Sequence, residues 1–203
     1  MTSKLVHDLL MICVTIEPVS TAVLFATLTR RLSRREQHRV AIKAISYSAA
    51  ILLASIVGGQ ILLSAMNIQL ISLQVAGGVI LFLFALQIIF GQTASLADQS
   101  EAGRDIAVYP LAIPSIVGAE AIMVVVLLTD YHLYAFTSQA LTTLMVLLVL
   151  LATWGMMLLA TRILRVIGQS GAMIIERING MILAALAVEL VMEALGVSRW
   201  LTS

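Results

Sequence analysis

Long runs of apolar residues alternate with short polar connections along the chain, and the alternation of single residues that is typical of β-strands is missing. A run of roughly 20 apolar residues can cross the hydrocarbon core of a bilayer as a helix. Six such runs lie at 5–29, 44–66, 69–91, 107–130, 138–161 and 178–198. The pattern predicts an all-α, polytopic membrane protein with six transmembrane helices in a single transmembrane domain, 1–203.

The composition supports a bilayer as the solvent. The chain is 61% hydrophobic and 11% charged, and its mean hydropathy is +1.05. These values leave too little polar surface for a soluble globule. The net charge of +1 gives no reason to expect nucleic acid as a partner. The lipid bilayer is the expected surrounding, and association with further copies of the chain stays open.

Basic residues gather in alternate connections. Ten of the twelve lie in the first, third and fifth: Arg30, Arg31, Arg34, Arg35, Arg39, Lys43, Arg104, Arg162, Arg165 and Arg177. By the positive-inside rule these connections are cytoplasmic. We therefore expect a multi-pass protein of the bacterial inner (plasma) membrane with both termini outside the cytoplasm.

Two segments read as copies of one another. Residues 75–87 can be laid on 177–189 without a gap, so that Gly78 meets Gly180 and the apolar positions after it coincide. Self-similarity at one offset is typical of a duplicated unit.

The duplication divides the chain into two units of three spans. Repeat 1 covers about 5–91 and repeat 2 about 107–198, with a cytoplasmic linker at 92–106. Three spans per unit make the second unit enter the membrane in the opposite sense. Such 3+3 inverted repeats recur in secondary transporters, where broken helices form a substrate site near the bilayer midplane.

The first span carries a glutamate and a proline in its middle, Glu17 and Pro18. A carboxylate at this depth is costly and usually faces a partner or a water-filled space. Proline lacks the amide hydrogen and clashes with the preceding turn, so the helix should break there and free a carbonyl near Cys13 or Val14. A new half-helix that begins at Val19 would offer its backbone amides to a ligand. Ser20 and Thr21 would add two hydroxyl groups beside these amides.

The fourth span repeats this design with Pro110 and Pro114, followed by Ser115, Gly118 and Glu120. Two prolines four residues apart prevent one continuous helix, so a broken fourth helix is predicted. Unwound backbone at membrane depth must be satisfied by protein or water. The stretch 115–120 should therefore face an inner surface.

Glu17 falls on Glu120 when the two units are superimposed, at an offset one residue longer than that of the glycines. If a two-fold axis relates the units, the two carboxylates face each other and can share a proton. The same pair could instead bind a divalent metal ion. Cys13 and Met123 lie close in sequence and would favour a softer metal.

Two further polar positions belong to the last span. Asn179 precedes Gly180 and can donate an amide hydrogen to a ligand. Glu189 lies deeper in the apolar run and is a secondary candidate for a proton path. The glycine pairs at 58–59 and 77–78 are expected to allow close packing of helices.

Enzyme motifs are missing from the sequence: it contains no P-loop, no nucleophile elbow, no HExxH and no Cys/His cluster. We expect no enzymatic activity and no cofactor.

Several motifs resemble the MarC family of small integral membrane proteins. They are the segment 76–82, which reads AGGVILF, the pair FG at 90–91, the Glu-Pro pair in the first span, and above all 109–118, which reads YPLAIPSIVG. The family is similar to LysE-type transporters, and the resemblance implies six spans and transport of small neutral amino acids.

The chain departs from that family pattern at two places. It has Glu17 where the family has asparagine before proline, and it has Ala119 and Glu120 where the family has proline and glycine. Both changes add a carboxylate, which favours a cationic cargo, a metal ion or proton coupling.

Three hypotheses follow. The leading one is a secondary transporter of small solutes, with proton-coupled transport of small amino acids through a midplane site. Its substrate or ion site would comprise Glu17, Pro18, Ser20, Thr21, Ser115, Gly118, Glu120 and Asn179. The second is a divalent metal exporter that uses Glu17 and Glu120. The third is a membrane scaffold or accessory protein that transports nothing.

Overall fold

The computed structural model describes residues 2–90, 105–130 and 134–197. Seven helical elements lie in these ranges, and none of the residues described is in a β-strand. The elements are α1 (Thr2–Ile16), α2 (Pro18–Leu28), α3 (Arg34–Ala65), α4 (Leu70–Ile89), α5 (Ala107–Ile116), α6 (Ala119–Leu128) and α7 (Phe136–Ala194). The all-α prediction is confirmed for this part of the chain, whereas nearly all of the predicted linker at 92–106 lies outside it.

Within the described ranges, four helical stretches are long and apolar enough to cross a membrane. They are Lys4–Leu28, Arg34–Ala65, Ile71–Ile89 and Phe136–Ala160. Ala119–Leu128 is apolar but shorter. The described part of the chain is therefore all-helical, with spans typical of a membrane protein, and the six-span arrangement stays a prediction.

The predicted break in the first span is present between α1 and α2. Glu17 separates the two helices with a left-handed backbone, φ 50° and ψ 64°, and Pro18 is the first residue of α2. Proline favours this position because its missing amide hydrogen would be unpaired there in any case.

The predicted break in the fourth span is also present. Tyr109 and Ile113, the residues before the two prolines, are extended, with φ and ψ of −131° and 125° and of −126° and 124°. Proline forces this conformation on the residue before it, which makes α5 a wide, irregular helix. Only Val117 and Gly118 lie between α5 and α6, so the interruption is shorter than the predicted 115–120.

Helix α3 begins earlier than the apolar run at 44–66. Ser33 and Glu36 form a capping box, in which the Ser33 amide donates to the Glu36 carboxylate at 2.8 Å and the Glu36 amide donates to the Ser33 hydroxyl at 3.4 Å. This pairing satisfies amides at a helix start. The basic residues from Arg34 onward are therefore helical rather than part of a loop.

Helix α7 corrects the sequence prediction most strongly. The connection expected at 162–177 is helical, and α7 runs from Phe136 to Ala194 with one interruption at Gly168, φ 70° and ψ 170°. Glycine adopts a positive φ without steric cost, so Gly168 can join two helical segments without a loop. Hydropathy defines where a chain is apolar, whereas polar residues can continue a helix beyond that point.

Helices α4 and α7 pack closely through two glycines, as the sequence predicted. A methyl group at Gly78 would lie 2.5 Å from the Val191 side chain and 2.9 Å from the Ala187 carbonyl oxygen. A methyl group at Gly180 would lie 3.0 Å from the Ile89 side chain. The missing side chains let the two backbones approach each other.

One ion pair ties α3 to Asp105, two residues before α5. The Lys43 ammonium donates to the Asp105 carboxylate, and both side chains are partly exposed. This hydrogen bond lowers the pKa of Asp105. A lowered pKa stabilises the folded state above the pKa of the unfolded chain, and that contribution is lost as the pH falls through the folded-state value. Solvent screening keeps it small.

Candidate functional site

The two helix breaks contact one another. The Thr21 hydroxyl of α2 lies 3.3 Å from the Ser115 hydroxyl and 3.5 Å from the Ser115 carbonyl oxygen. Thr21 is fully buried. The polar residues that the sequence assigned to separate halves therefore meet inside the protein.

The carboxylate of Glu17 is buried and bonded. Glu17 is 6% exposed. The side-chain amide of Asn179 on α7 donates to Glu17 Oε1 at 2.6 Å. The Ser20 side chain lies beside the same carboxylate.

Asn179 also donates to the backbone carbonyl that Pro18 leaves without an amide donor. Its amide nitrogen lies 3.3 Å from the Val14 carbonyl oxygen. In an unbroken helix the amide of the fourth following residue would donate to this oxygen, but that residue is Pro18. One side chain thus binds both the freed carbonyl that the sequence predicted and the glutamate beside it.

Replacing Asn179 with leucine should lower the free energy of unfolding by about 2–4 kcal/mol, because two buried acceptors lose a donor. Reversible unfolding in mixed detergent micelles measures the effect. The matched control is Gln74→Leu, since Gln74 donates to the exposed Glu193 at 3.3 Å. The control should change stability by less than about 0.5 kcal/mol. Equal effects of the two substitutions would contradict the arrangement.

Glu120 lies at the start of α6 and is 6% exposed. Its carboxylate folds back towards its own backbone amide and occupies the space where Gly118 has no side chain. A carboxylate is favourable there, because the first amides of a helix are unpaired and its dipole is positive. The glycine is therefore required for space rather than for flexibility.

Glu17 and Glu120, which the sequence pairs across the two units, hold different positions at the starts of their helices. Glu17 is the N-cap of α2, whereas the N-cap of α6 is Gly118 and Glu120 is the second residue of that helix. The two carboxylates are nevertheless close enough for their charges to interact. Matching glutamates by sequence identity ignored where each helix begins.

A third carboxylate, which the sequence analysis missed, belongs to the same region. The negative charge of Glu176 acts on Glu17 together with that of Glu120. Glu176 precedes Asn179 by three residues in α7, so both lie on one helix face. That spacing was the available signal. The charges from described residues that act on Glu17 are both negative, which makes the site acidic.

The structure offers little support for the predicted metal site. Nowhere in the described ranges do three His, Cys, Asp or Glu side chains form a group suited to a metal ion. Cys13 is exposed, and Met123 lies against Gly77 of α4. Glu189 is exposed on α7, so it lies outside the buried region where a proton path was predicted.

Known sequences resemble this chain over nearly its full length. A sequence model described as MarC family integral membrane protein matches residues 2–199. The UPF0056 inner membrane protein YhgN of Escherichia coli is 22% identical over 203 residues, covering 98% of both chains. A UPF0056 membrane protein of Aquifex aeolicus is 32% identical over 184 residues, covering 88% of this chain and 86% of that one.

An archaeal relative is similarly close. A UPF0056 membrane protein of Methanocaldococcus jannaschii is 30% identical over 185 residues, covering 89% of this chain and 90% of that one. No solved structure matches this chain.

Proposed function

Because this chain belongs to the MarC family of integral membrane proteins, we propose that it is a secondary transporter of small solutes that couples the movement of small amino acids to protons. The observation that carries the proposal is the contact between the two helix breaks. It gathers buried Glu17 and Thr21 at the start of α2, buried Glu120 of α6 and partly exposed Ser115 of α5. Irregular backbone with ionisable groups at membrane depth is typical of transport pathways.

Reciprocal contacts between α4 and α7 support a 3+3 inverted repeat. Gly78 faces Ala187 and Val191, while Gly180 faces Ala85 and Ile89. Superimposing 75–87 on 177–189 exchanges one set of contacts for the other. A two-fold axis between the helices accounts for this exchange, and alternating access would be a movement of the two units around the shared site.

Protons suit the acidity of the site. Glu17, Glu120 and Glu176 have no paired cation among the described residues. Keeping such neighbouring carboxylates ionised in the membrane is expensive, so binding a proton or a cation lowers that cost. A neutral amino acid brings an ammonium group for the carboxylates and a carboxylate for the helix amides. The relative named as an inner membrane protein supports the same membrane here, and the basic start of α3 supports the orientation with both termini outside the cytoplasm.

Uptake by purified protein in liposomes tests the proposal. We expect radiolabelled glycine or alanine to accumulate when the external pH is lower than the internal pH, and a protonophore should abolish the accumulation. The combined variant Glu17→Gln with Glu120→Gln should lose this dependence on the proton gradient. Uptake of a divalent ion, lost in the same variant, would favour the metal exporter. Absence of any uptake, with the variant equally stable, would favour the scaffold.

A further inference from the structure

A second polar cluster lies at the first turns of α1, away from the helix breaks. The Lys4 ammonium is 2.5 Å from Asp8 Oδ2 and 3.2 Å from the Thr142 hydroxyl of α7. It also lies 4.0 Å from the centroid of the Tyr134 ring. A carboxylate, a hydroxyl and an aromatic face are the three groups that recognise a primary ammonium, and the ring attracts the cation through its quadrupole.

Asp8 retains unused capacity to bind. The residue is 1% exposed, and the Thr142 hydroxyl donates to Oδ2 at 2.6 Å. The other oxygen, Oδ1, is buried and has no hydrogen-bond partner among the described residues. His7 Nδ1 lies 3.9 Å from it, which is too long for a hydrogen bond. A buried carboxylate oxygen without a donor is costly, and a ligand that supplies one gains that energy.

The surroundings of the cluster favour cations. The negative charges of Asp8, Glu193 and Asp130 all act on Tyr134. Lys4 is the bound cation, but its side chain is 25% exposed and it lies in the first turn of α1. The ammonium is therefore held by a flexible stem near the surface and can leave without disrupting a helix.

We propose that Asp8, Thr142 and Tyr134 form a binding site for the primary ammonium group of a small amine or amino acid, and that Lys4 fills this site in the state described. Asp8 and Glu17 lie about two and a half helical turns apart in the first span, roughly 13 Å along the helix axis. The site is thus distinct from the one at the helix breaks. It lies at the membrane face where α1 and α7 begin, and an arriving amine would displace Lys4.

The test removes the tethered ammonium and supplies a free one. Lys4→Ala should lower the melting temperature of the purified protein, and ethylammonium chloride should restore it in a saturable manner. Ethylammonium should bind the wild type at least about tenfold more weakly, because it reaches only the fraction of molecules from which Lys4 has left. Tetramethylammonium chloride at equal ionic strength should restore nothing, since it cannot donate a hydrogen bond.

Two further variants separate the site from a general effect of salt or folding. Adding Asp8→Asn to Lys4→Ala should remove the response to ethylammonium. Lys4→Met keeps the apolar stem and serves if Lys4→Ala does not fold. Equal stabilisation by both salts, a response that survives Asp8→Asn, or no response in either Lys4 variant would overturn the proposal. This experiment measures binding rather than transport, so its result does not depend on the outcome of the uptake assay.

Discussion

Glu17→Gln should reduce proton-driven uptake by about 100-fold, the scale on which loss of a proton-transferring side chain is felt, while the protein stays folded. Glutamine has the same shape as glutamate, and its carbonyl oxygen can accept the bond from Asn179 that holds Glu17 Oε1 at 2.6 Å. The glutamine side chain cannot bind or release a proton at the pH values of the uptake assay. The measurement is the initial rate of glycine or alanine uptake into liposomes at several imposed pH gradients.

Glu189→Gln is the matched control for this prediction. It makes the same chemical change on α7, but Glu189 is exposed and lies away from the helix breaks. We expect uptake and its dependence on the gradient to remain at the wild-type level. A Glu17→Gln protein that still follows the proton gradient, or equal losses in the two variants, would contradict the assignment of Glu17 as the coupling residue.

Gly78→Ala should lower the free energy of unfolding by about 1–3 kcal/mol, the usual cost of overpacking a close contact. The added methyl group would meet the Ala187 carbonyl oxygen at 2.9 Å, and this backbone atom cannot rotate away. The Val191 methyl at 2.5 Å would also have to move. Unfolding midpoints in mixed micelles measure the change.

Gly58→Ala and Gly155→Ala are the controls for packing. No atom of the described residues lies within 4 Å of the added methyl group at either position, so the close packing that the sequence predicted for Gly58 is wrong. Alanine also has a higher helix propensity than glycine, so these substitutions should be neutral or slightly stabilising. If Gly78→Ala behaved as they do, α4 and α7 would not approach each other in the way described.

Local chemistry explains what could be predicted. Pro18 removes one amide hydrogen, and Pro110 and Pro114 force the residues before them into extended backbone, so both helix breaks follow from the residues themselves. The membrane-spanning helices could also be predicted from local sequence, because each span needs a run of apolar residues. The resemblance to the MarC family is confirmed over residues 2–199.

Other features depend on contacts between distant segments. The register of Glu120 against Glu17 depends on where α6 begins, and that start is set by Gly118 and the turn before it. Glu176 became part of the site only because Asn179, on the same face of α7, bonds Glu17. The continuation of α7 through 162–177 went unpredicted because the break at Gly168 needs one residue with positive φ and leaves no polar loop.

The sequence by itself determined the solvent, the all-helical class and the two proline breaks, because apolar runs and prolines act within a few residues of their own position. Only the tertiary structure decided which groups meet at those breaks, and that Lys4 and Asp8 of α1 bind Thr142 of α7. A side chain far along the chain can satisfy a freed carbonyl or a buried carboxylate from many helix positions. The choice among them is made by how the helices pack.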